Sequence, residues 1–318
     1  LQLATLVEES AYQDPGTIPS GHTSFQEPIH HPTTAPLTVK MRLTEPIHLS
    51  AVDLETIGPE MAAINQSTLT MTPLGELRYS AVPPDEAQRW LESCCRADLR
   101  DELSYPRITD LDTDGLGPDV IRFEHLVIRD LDLEPLHSYH AGQASSASHD
   151  PGRDSRPAGR IVAYAEFKYH PLNKEKQTDE HGARDSDKEP PASVEPSMEI
   201  PTSAHRELHE YWNNAVEAAL DFQFSHLHCF EVRGLATLSP SHLRKGIASK
   251  LLPWIFPWAD RLNVPVVLAA TPPGYPLYLR HGFVELGGRD GVVECDMAEW
   301  GGSGIHRHIL MTRSPSKA

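Results

Sequence analysis

The sequence predicts an α/β fold of the α+β kind, one sheet-and-helix domain interrupted by long unpacked insertions. Three observations carry that expectation. Strand-like and helix-like segments follow one another between residues 41 and 313 with no internal repeat. Apolar residues make up only 39% of the chain and prolines number 28, too polar and too proline-rich a mixture for all 318 residues to pack. Finally, residues 231–285 run strand, glycine-bearing turn, helix, strand, turn and short helix without a break.

Charge and cysteine usage exclude several classes. A formal net charge of −17 argues against a general nucleic-acid binder, which needs a basic face. Four cysteines, two of them adjacent as Cys94 and Cys95, form neither a disulfide framework nor a metal-ligand spacing. The compartment expected is therefore reducing, the cytoplasm or the nucleus. No apolar run is long enough to cross a bilayer, and the proline-broken stretch Leu251-Leu252-Pro253-Trp254-Ile255-Phe256-Pro257-Trp258 is too short.

Taken in order, residues 1–40 are rich in Pro, Thr, Ser and His without a sustained period and read as a disordered leader. Order is expected from Met41, itself a candidate translation start, with a first strand over residues 42–49. Residues 50–68 carry Val52, Leu54, Ile57, Met61 and Ile64 at helical spacing, and Gly58-Pro59 predicts a break in that helix. A cleaner helix opens at Pro83-Pro84-Asp85, with Trp90, Leu91, Cys94 and Leu99 on a core-facing stripe. Residues 120–128 and 160–169 are strands by their β-branched and aromatic content and are expected to pair antiparallel. Polar tracts at 142–158 and 173–197 read as solvated insertions. Residues 205–224 return to helical spacing through Leu208, Tyr211, Trp212, Val216, Leu220 and Phe224, and strands follow at 229–238, 264–270 and 305–312. Residues 314–318 form a tail.

Within residues 231–285, the strand that feeds Ser239-Pro240 and then a basic turn and a helix offers free backbone N–H groups and the positive end of a helix dipole. Such a site suits an anion, with a pyrophosphate expected. Gly246 and Ala248 carry little or no side chain, so the amides of Arg244, Lys245, Gly246, Ile247, Ala248 and Ser249 are open to close approach, and Arg244 and Lys245 add positive charge. The plain alternative is an ordinary helix start with solvated basic residues. About thirty residues on, Tyr275 and Tyr278 place phenols beside the next Pro/Gly-rich turn.

Two motifs here resemble those of a known family. Leu243-Arg244-Lys245-Gly246-Ile247-Ala248 resembles the acetyl-CoA loop of the GNAT superfamily of N-acyltransferases, whose pattern is Gln/Arg-x-x-Gly-x-Gly/Ala. Tyr278-Leu279-Arg280-His281-Gly282-Phe283 is similar to that superfamily's second motif, a Tyr four residues before Gly-Phe, and the Gly-Tyr-Pro-Leu-Tyr wording is similar to a fungal branch. The resemblance implies a mixed, mostly antiparallel central sheet flanked by helices. It implies acetyl-CoA as acyl donor and an amine of a small molecule or protein as acceptor; the charge and the lack of a long apolar run leave no nucleic acid and no membrane expected as partners. It also implies that Leu235, Ala236, Thr237 and Leu238 splay from the neighbouring strand to pair with pantetheine, and that Thr271 and Tyr275 border the cofactor.

Direct attack of an amine on a thioester needs a base for the amine, an acid for the departing thiolate and an oriented donor. Orientation alone is worth roughly 7–11 kcal/mol in favourable cases. Tyr278 fits the acid and Glu231 is the candidate base, each with a structural alternative: a packed tyrosine and a solvated strand residue. Tyr275 reads equally as a wall of the turn. Three residues depart from the family pattern: Leu243 stands where Gln or Arg is usual, Thr271 where many members have Asn, and Ala269 where the fungal branch has an acidic residue. Pro253 and Pro257 require the following helix to kink, since an interior proline costs about 3 kcal/mol in a straight one. The pairs His226/His228 and His306/His308 share strand faces but lack further ligands nearby, so no metal is expected. Besides acetyl transfer, two readings stay open: an acyl-CoA-binding module of the same fold with impaired catalysis, and an interaction protein acting through its acidic linkers.

Overall fold

The computed structural model describes residues 41–50, 54–112, 119–136, 159–171 and 199–316. The expected leader at 1–40 and the expected insertions at 142–158 and 173–197 lie outside the described residues.

The chain opens with β1 (Ile47–His48) and then builds a helical layer from α1 (Leu54–Thr68), α2 (Pro73–Tyr79) and α3 (Pro84–Glu102). Strands β2 (Arg122–Asp130) and β3 (Arg160–His170) follow, then α4 (Arg206–Phe224) and β4 (Cys229–Thr237). Beyond β4 come α5 (Ile247–Leu251), α6 (Phe256–Leu262), β5 (Val266–Ala270), α7 (Tyr275–Arg280), β6 (Val284–Glu285), β7 (Val292–Asp296) and β8 (Ile305–Arg313). One eight-stranded sheet runs β1-β2-β3-β4-β5-β8-β6, with β7 also on β8. Every pairing is antiparallel except β4 with β5. The architecture is thus the mixed, mostly antiparallel sheet flanked by helices that was expected.

Side-chain alternation assigns the two faces. Lys168 of β3 sits opposite Glu231 of β4, and Tyr164, four residues from Lys168 and so on the same face, hydrogen-bonds through its hydroxyl to Asn65 of α1 at 2.5 Å. Phe167 points the other way and stacks on Trp254, between α5 and α6, with ring centroids 5.6 Å apart. Helix α1 therefore covers one face, and α5 and α6 the other. Helix α4 lies on the α1 face, where Trp212, Val216 and Leu220 pack on Val267 and Ala269 of β5.

Several elements differ from expectation. The first strand shrinks from residues 42–49 to two residues, because Pro46 has no N–H to give the ladder; upstream an isolated Leu43–Asp130 bridge remains, flanked by a Thr44 N–H to Arg129 carbonyl bond at 2.9 Å and a Leu131 N–H to Arg42 carbonyl bond at 2.8 Å. The predicted break at Gly58-Pro59 is absent, and α1 is continuous through Pro59. Burial holds it: Ile57, Met61 and Ile64 are at most 1% exposed, and Gly58 lies so close to α3 that a Cβ there would meet Cγ of Arg96 at 2.7 Å. By contrast, the expected kink after the basic turn is present. The helix is split into α5, a 3₁₀ turn at Leu252–Ile255 with Pro253 as its second residue, and α6, with Pro257 as its second residue. Sequence reading missed α2, β6 and β7, which are short.

Candidate active site

Strands β4 and β5 run parallel, and their paired residues are Phe230 with Val266 and Glu231 with Val267. Beyond them the strands part. β4 continues to Thr237 against β3 alone, while β5 continues to Ala270 against β8. A wedge thus opens between the carboxyl ends of two neighbouring parallel strands, the kind of crevice where ligands meet open sheets. A bulge adds to it: Phe167 faces Val232 and Glu166 faces Gly234, leaving Arg233 as the extra residue of β4.

Both sequence motifs lie at this mouth. The turn after β4 has left-handed backbone at Arg244 (φ 58°) and Gly246 (φ 72°), and Gly246 caps α5. A Cβ on Gly246 would meet nothing within 4 Å, so the glycine serves its backbone conformation and leaves open space in front of the helix start. Arg244, Lys245 and Gly246 are exposed, whereas Ile247 and Ala248 face the core, which leaves their backbone N–H groups rather than their side chains for a ligand. Ser249 is half-buried. The turn is built in advance of any ligand: Ser239 N–H donates to Oγ of Ser67 at 3.0 Å, and Nε2 of buried His242 lies 3.0 Å from Oδ2 of Asp130. Burial raises the Asp130 carboxyl, but the hydrogen bonds from His242 and the Asp132 N–H and the charges of His242 and Lys245 outweigh it, leaving the group below its ordinary value. Leu235, Ala236, Thr237 and Leu238 are buried along the parting edge, and Oγ1 of Thr237 has no hydrogen-bond partner among the described residues.

At the end of β5, Thr271 is buried and organises the second turn. Its carbonyl accepts from the N–H groups of Gly274 and Tyr275 at 3.0 and 2.9 Å, and its hydroxyl accepts from Gly274 at 3.3 Å. Tyr275 donates its phenol to Glu285 on β6, and that bond raises the phenol above its ordinary value. Tyr278 is 1% exposed and edge-on to Phe283 at 5.7 Å, and Phe283 in turn packs on Phe256 of α6. Burial pushes the Tyr278 phenol well above its ordinary value.

On the opposite, α1 and α4 face, the parted strands floor a cavity of about 300 Å³. Glu231, Val232 and Arg233 of β4 and Ala269 and Thr271 of β5 line it from below, with α2, α4 and β8 forming its walls. Glu231 is not a solvated strand residue: it is 7% exposed and its Oε2 lies 2.8 Å from Nε2 of His170. Arg233 pairs with Glu102.

Sequence reading missed the wall residues, chief among them Arg78, Trp212 and Asn213. His306 and His308 do share a strand face, but they pack edge-on against Trp212 at 5.1 and 4.8 Å. Among the described residues no group of three His, Cys, Asp or Glu side chains is placed to hold a metal. The four cysteines are free and buried, none lines the cavity, and burial raises all four thiols, those of Cys94 and Cys229 to about 12. Among the described residues no helix is long and apolar enough to cross a membrane.

No family model and no curated protein matches this chain. Solved structures similar to it include the PaiA N-acetyltransferase from Thermoplasma acidophilum in complex with coenzyme A, 10% identical, covering 86% of this chain and 99% of that one at a TM-score of 0.37. Arylalkylamine N-acetyltransferase 2 from Aedes aegypti is 14% identical, covering 87% and 99% at a TM-score of 0.40. Similarity this loose assigns the chain neither a family nor an activity.

Proposed function

We propose that this chain is an acetyl-CoA-dependent N-acetyltransferase of the GNAT type. The observation that carries the reading is the wedge: two parallel strands that pair at two positions and then part, with a preformed basic turn at the end of one and the Tyr275–Tyr278 turn at the end of the other. An elongated thiol ester with a pyrophosphate fits that arrangement. The open space at Gly246 gives phosphate oxygens access to the N–H groups of residues 246–249 at the start of α5, with the exposed Arg244 and Lys245 side chains beside them. The parted edge of β4 offers backbone groups to an amide-bearing arm, and the unpartnered Thr237 hydroxyl offers one more.

Acetyl-CoA, when bound, supplies the acetyl group as an activated thioester. The chain's own residues do the rest. Glu231 removes the proton from an ammonium entering the cavity, and His170 holds the carboxylate and passes the proton outward. In the balanced step the neutral amine nitrogen forms the new bond to the acetyl carbon as the carbon–sulfur bond breaks; the sulfur takes up one proton, and the nitrogen gives up one of its two remaining protons to solvent as the amide forms, from which the proton donor is recharged. Tyr278 holds the proton for the sulfur at its hydroxyl: burial raises the phenol, so it is protonated at neutral pH, and desolvation makes a thiolate leaving beside it more basic as well.

Thermal unfolding with and without saturating acetyl-CoA, followed by thiol release across a panel of amines, tests the reading. The expected result is a clear rise in Tm and transfer to at least one amine, with Tyr278→Phe lowering turnover and keeping the rise. Absence of a thermal shift would overturn the proposal. A shift with no transfer would favour a cofactor-binding module that has lost catalysis.

A further inference from the structure

The cavity holds a buried cation that the transfer chemistry above does not use. Arg78 closes the last turn of α2, where a helix of seven residues would ordinarily show a basic side chain to solvent, yet it is 7% exposed and lines the cavity. Its Nη2 lies 3.0 Å from Nδ1 of His209 and donates to Oδ1 of Asn213 at 2.9 Å, and its guanidinium sits 4.8 Å from the centre of the Tyr79 ring. Every one of these partners is neutral. Nε of Arg78 is buried with no hydrogen-bond partner, and no carboxylate lies within ion-pair distance among the described residues. Arg233, the other cation of the cavity, already pairs with Glu102, and Glu217, exposed on α4, makes no ion pair with Arg78 among the described residues.

A buried guanidinium without an anion is costly, and the cost is recovered when a ligand brings one. The surroundings are arranged for that ligand and against a proton. Burial first, and the charge of Arg78 further down, hold His209 and His306 at about 4 and His308 at about 3, so the histidines nearest the arginine stay neutral at ordinary pH. Nδ1 of His308, also on the cavity wall, is buried without a hydrogen-bond partner among the described residues and adds a second unmet polar atom. The carboxylate of Glu231 lines the same cavity and suits the opposite charge. A cavity of about 300 Å³ matches a small molecule at the low end of ligand pockets, and neither a protein lysine nor an ordinary chain terminus carries a carboxylate at short distance from its amine.

We infer that the acceptor is a small amino acid, a primary amine that carries its own carboxylate, with the carboxylate on Arg78 and the amine toward Glu231. This rests on the acyl-transfer reading for its chemistry but not for its binding, so the two are tested apart.

The full-length protein is offered two matched sets: γ-aminobutyrate, its carboxamide and butylamine; and phenylalanine, phenylalaninamide and phenethylamine. Binding is measured by calorimetry without acetyl-CoA, and kcat/KM by thiol release with it. In at least one set the acid is expected to bind more tightly, and to be acetylated with higher kcat/KM, than both neutralised relatives by about ten- to a hundredfold, carried mainly by KM. Arg78→Gln is expected to bring the acid-to-amide ratio toward one, and Arg78→Lys to restore part of it. Should Arg78→Gln fail to fold, the comparison on the unaltered protein decides. Acids that bind preferentially without being acetylated uphold the carboxylate site on Arg78 and overturn the transferase reading, and with it the role of the bound acid as acceptor. Transfer to amides or decarboxylated amines at equal or higher kcat/KM overturns the inference and leaves the transferase reading standing. No preferential binding of either acid overturns it as well.

Discussion

Lowering the pH from about 7.5 to about 5 is predicted to destabilise the folded chain steeply, and three histidines around the cavity supply the reason. His209, His306 and His308 have folded pKa values of about 4, about 4 and about 3 against an ordinary 6.5, with burial as the first cause in each. The folded values are depressed, so the unfolded chain binds more protons as pH falls below 6.5. The stability these groups hold is therefore complete above that value and is lost on the way down to about 4 for His209 and His306 and to about 3 for His308. At about 1.4 kcal/mol per pH unit, the gap is worth about 3 kcal/mol for His209 and for His306 and about 5 kcal/mol for His308 once fully traversed. The three do not add independently, because His306 itself lowers His308 and Arg78 lowers all three. Even one group's full share is a sizeable fraction of the roughly 5–15 kcal/mol that holds a domain together. Buried Glu60 and Glu166 are shifted upward by desolvation and act with the opposite sign, so a variant is needed to isolate the histidine share. Urea unfolding of the native chain and of His308→Gln at about pH 7.5, 6 and 5 separates the terms. The native chain is expected to lose several kcal/mol over that range and the variant to lose less by about 1–3 kcal/mol. Equal losses in the two proteins would refute the buried neutral state assigned to His308.

Two further predictions concern the site. Glu231→Gln removes the base while leaving an amide to face His170, so kcat is expected to fall about 10²–10⁴-fold with the acetyl-CoA thermal shift retained; unchanged turnover would show that the base lies elsewhere. Asp130→Asn weakens the anchor on His242 that fixes the basic turn. It is expected to raise KM for acetyl-CoA more than it lowers kcat, and to reduce stability by about 1–3 kcal/mol above pH 4, where the depressed Asp130 carboxylate is fully charged. A KM unchanged by this substitution would mean that the turn needs no support from β2.

The strong periodic elements were legible in the sequence because local pattern and burial agree there: α3, α4, and the strands of the sheet's centre lie within a few residues of where alternation and helical spacing put them. Short elements were not. Helix α2 spans seven residues, about two turns, too few for a period to appear, and β6 is two residues held by β8. Gly58-Pro59 misled because propensity reports the isolated chain, whereas α3 and β3 press α1 into one continuous helix. Within the site, the basic turn and the tyrosine turn could be read because their chemistry is contiguous in sequence. Arg78 could not: at the end of a short helix it looks like a surface cation, and only the approach of α4, more than a hundred residues later, buries it beside His209 and Asn213.

The most direct measurement of the central claim is backbone hydrogen exchange with and without acetyl-CoA. Two segments are predicted to gain protection together, the parted edge of β4 over residues 233–238 and the turn over residues 244–249, while the already paired strand β2 changes little. Binding of acetyl-CoA that leaves both segments exchanging as before would contradict the placement of the donor in the wedge between β4 and β5.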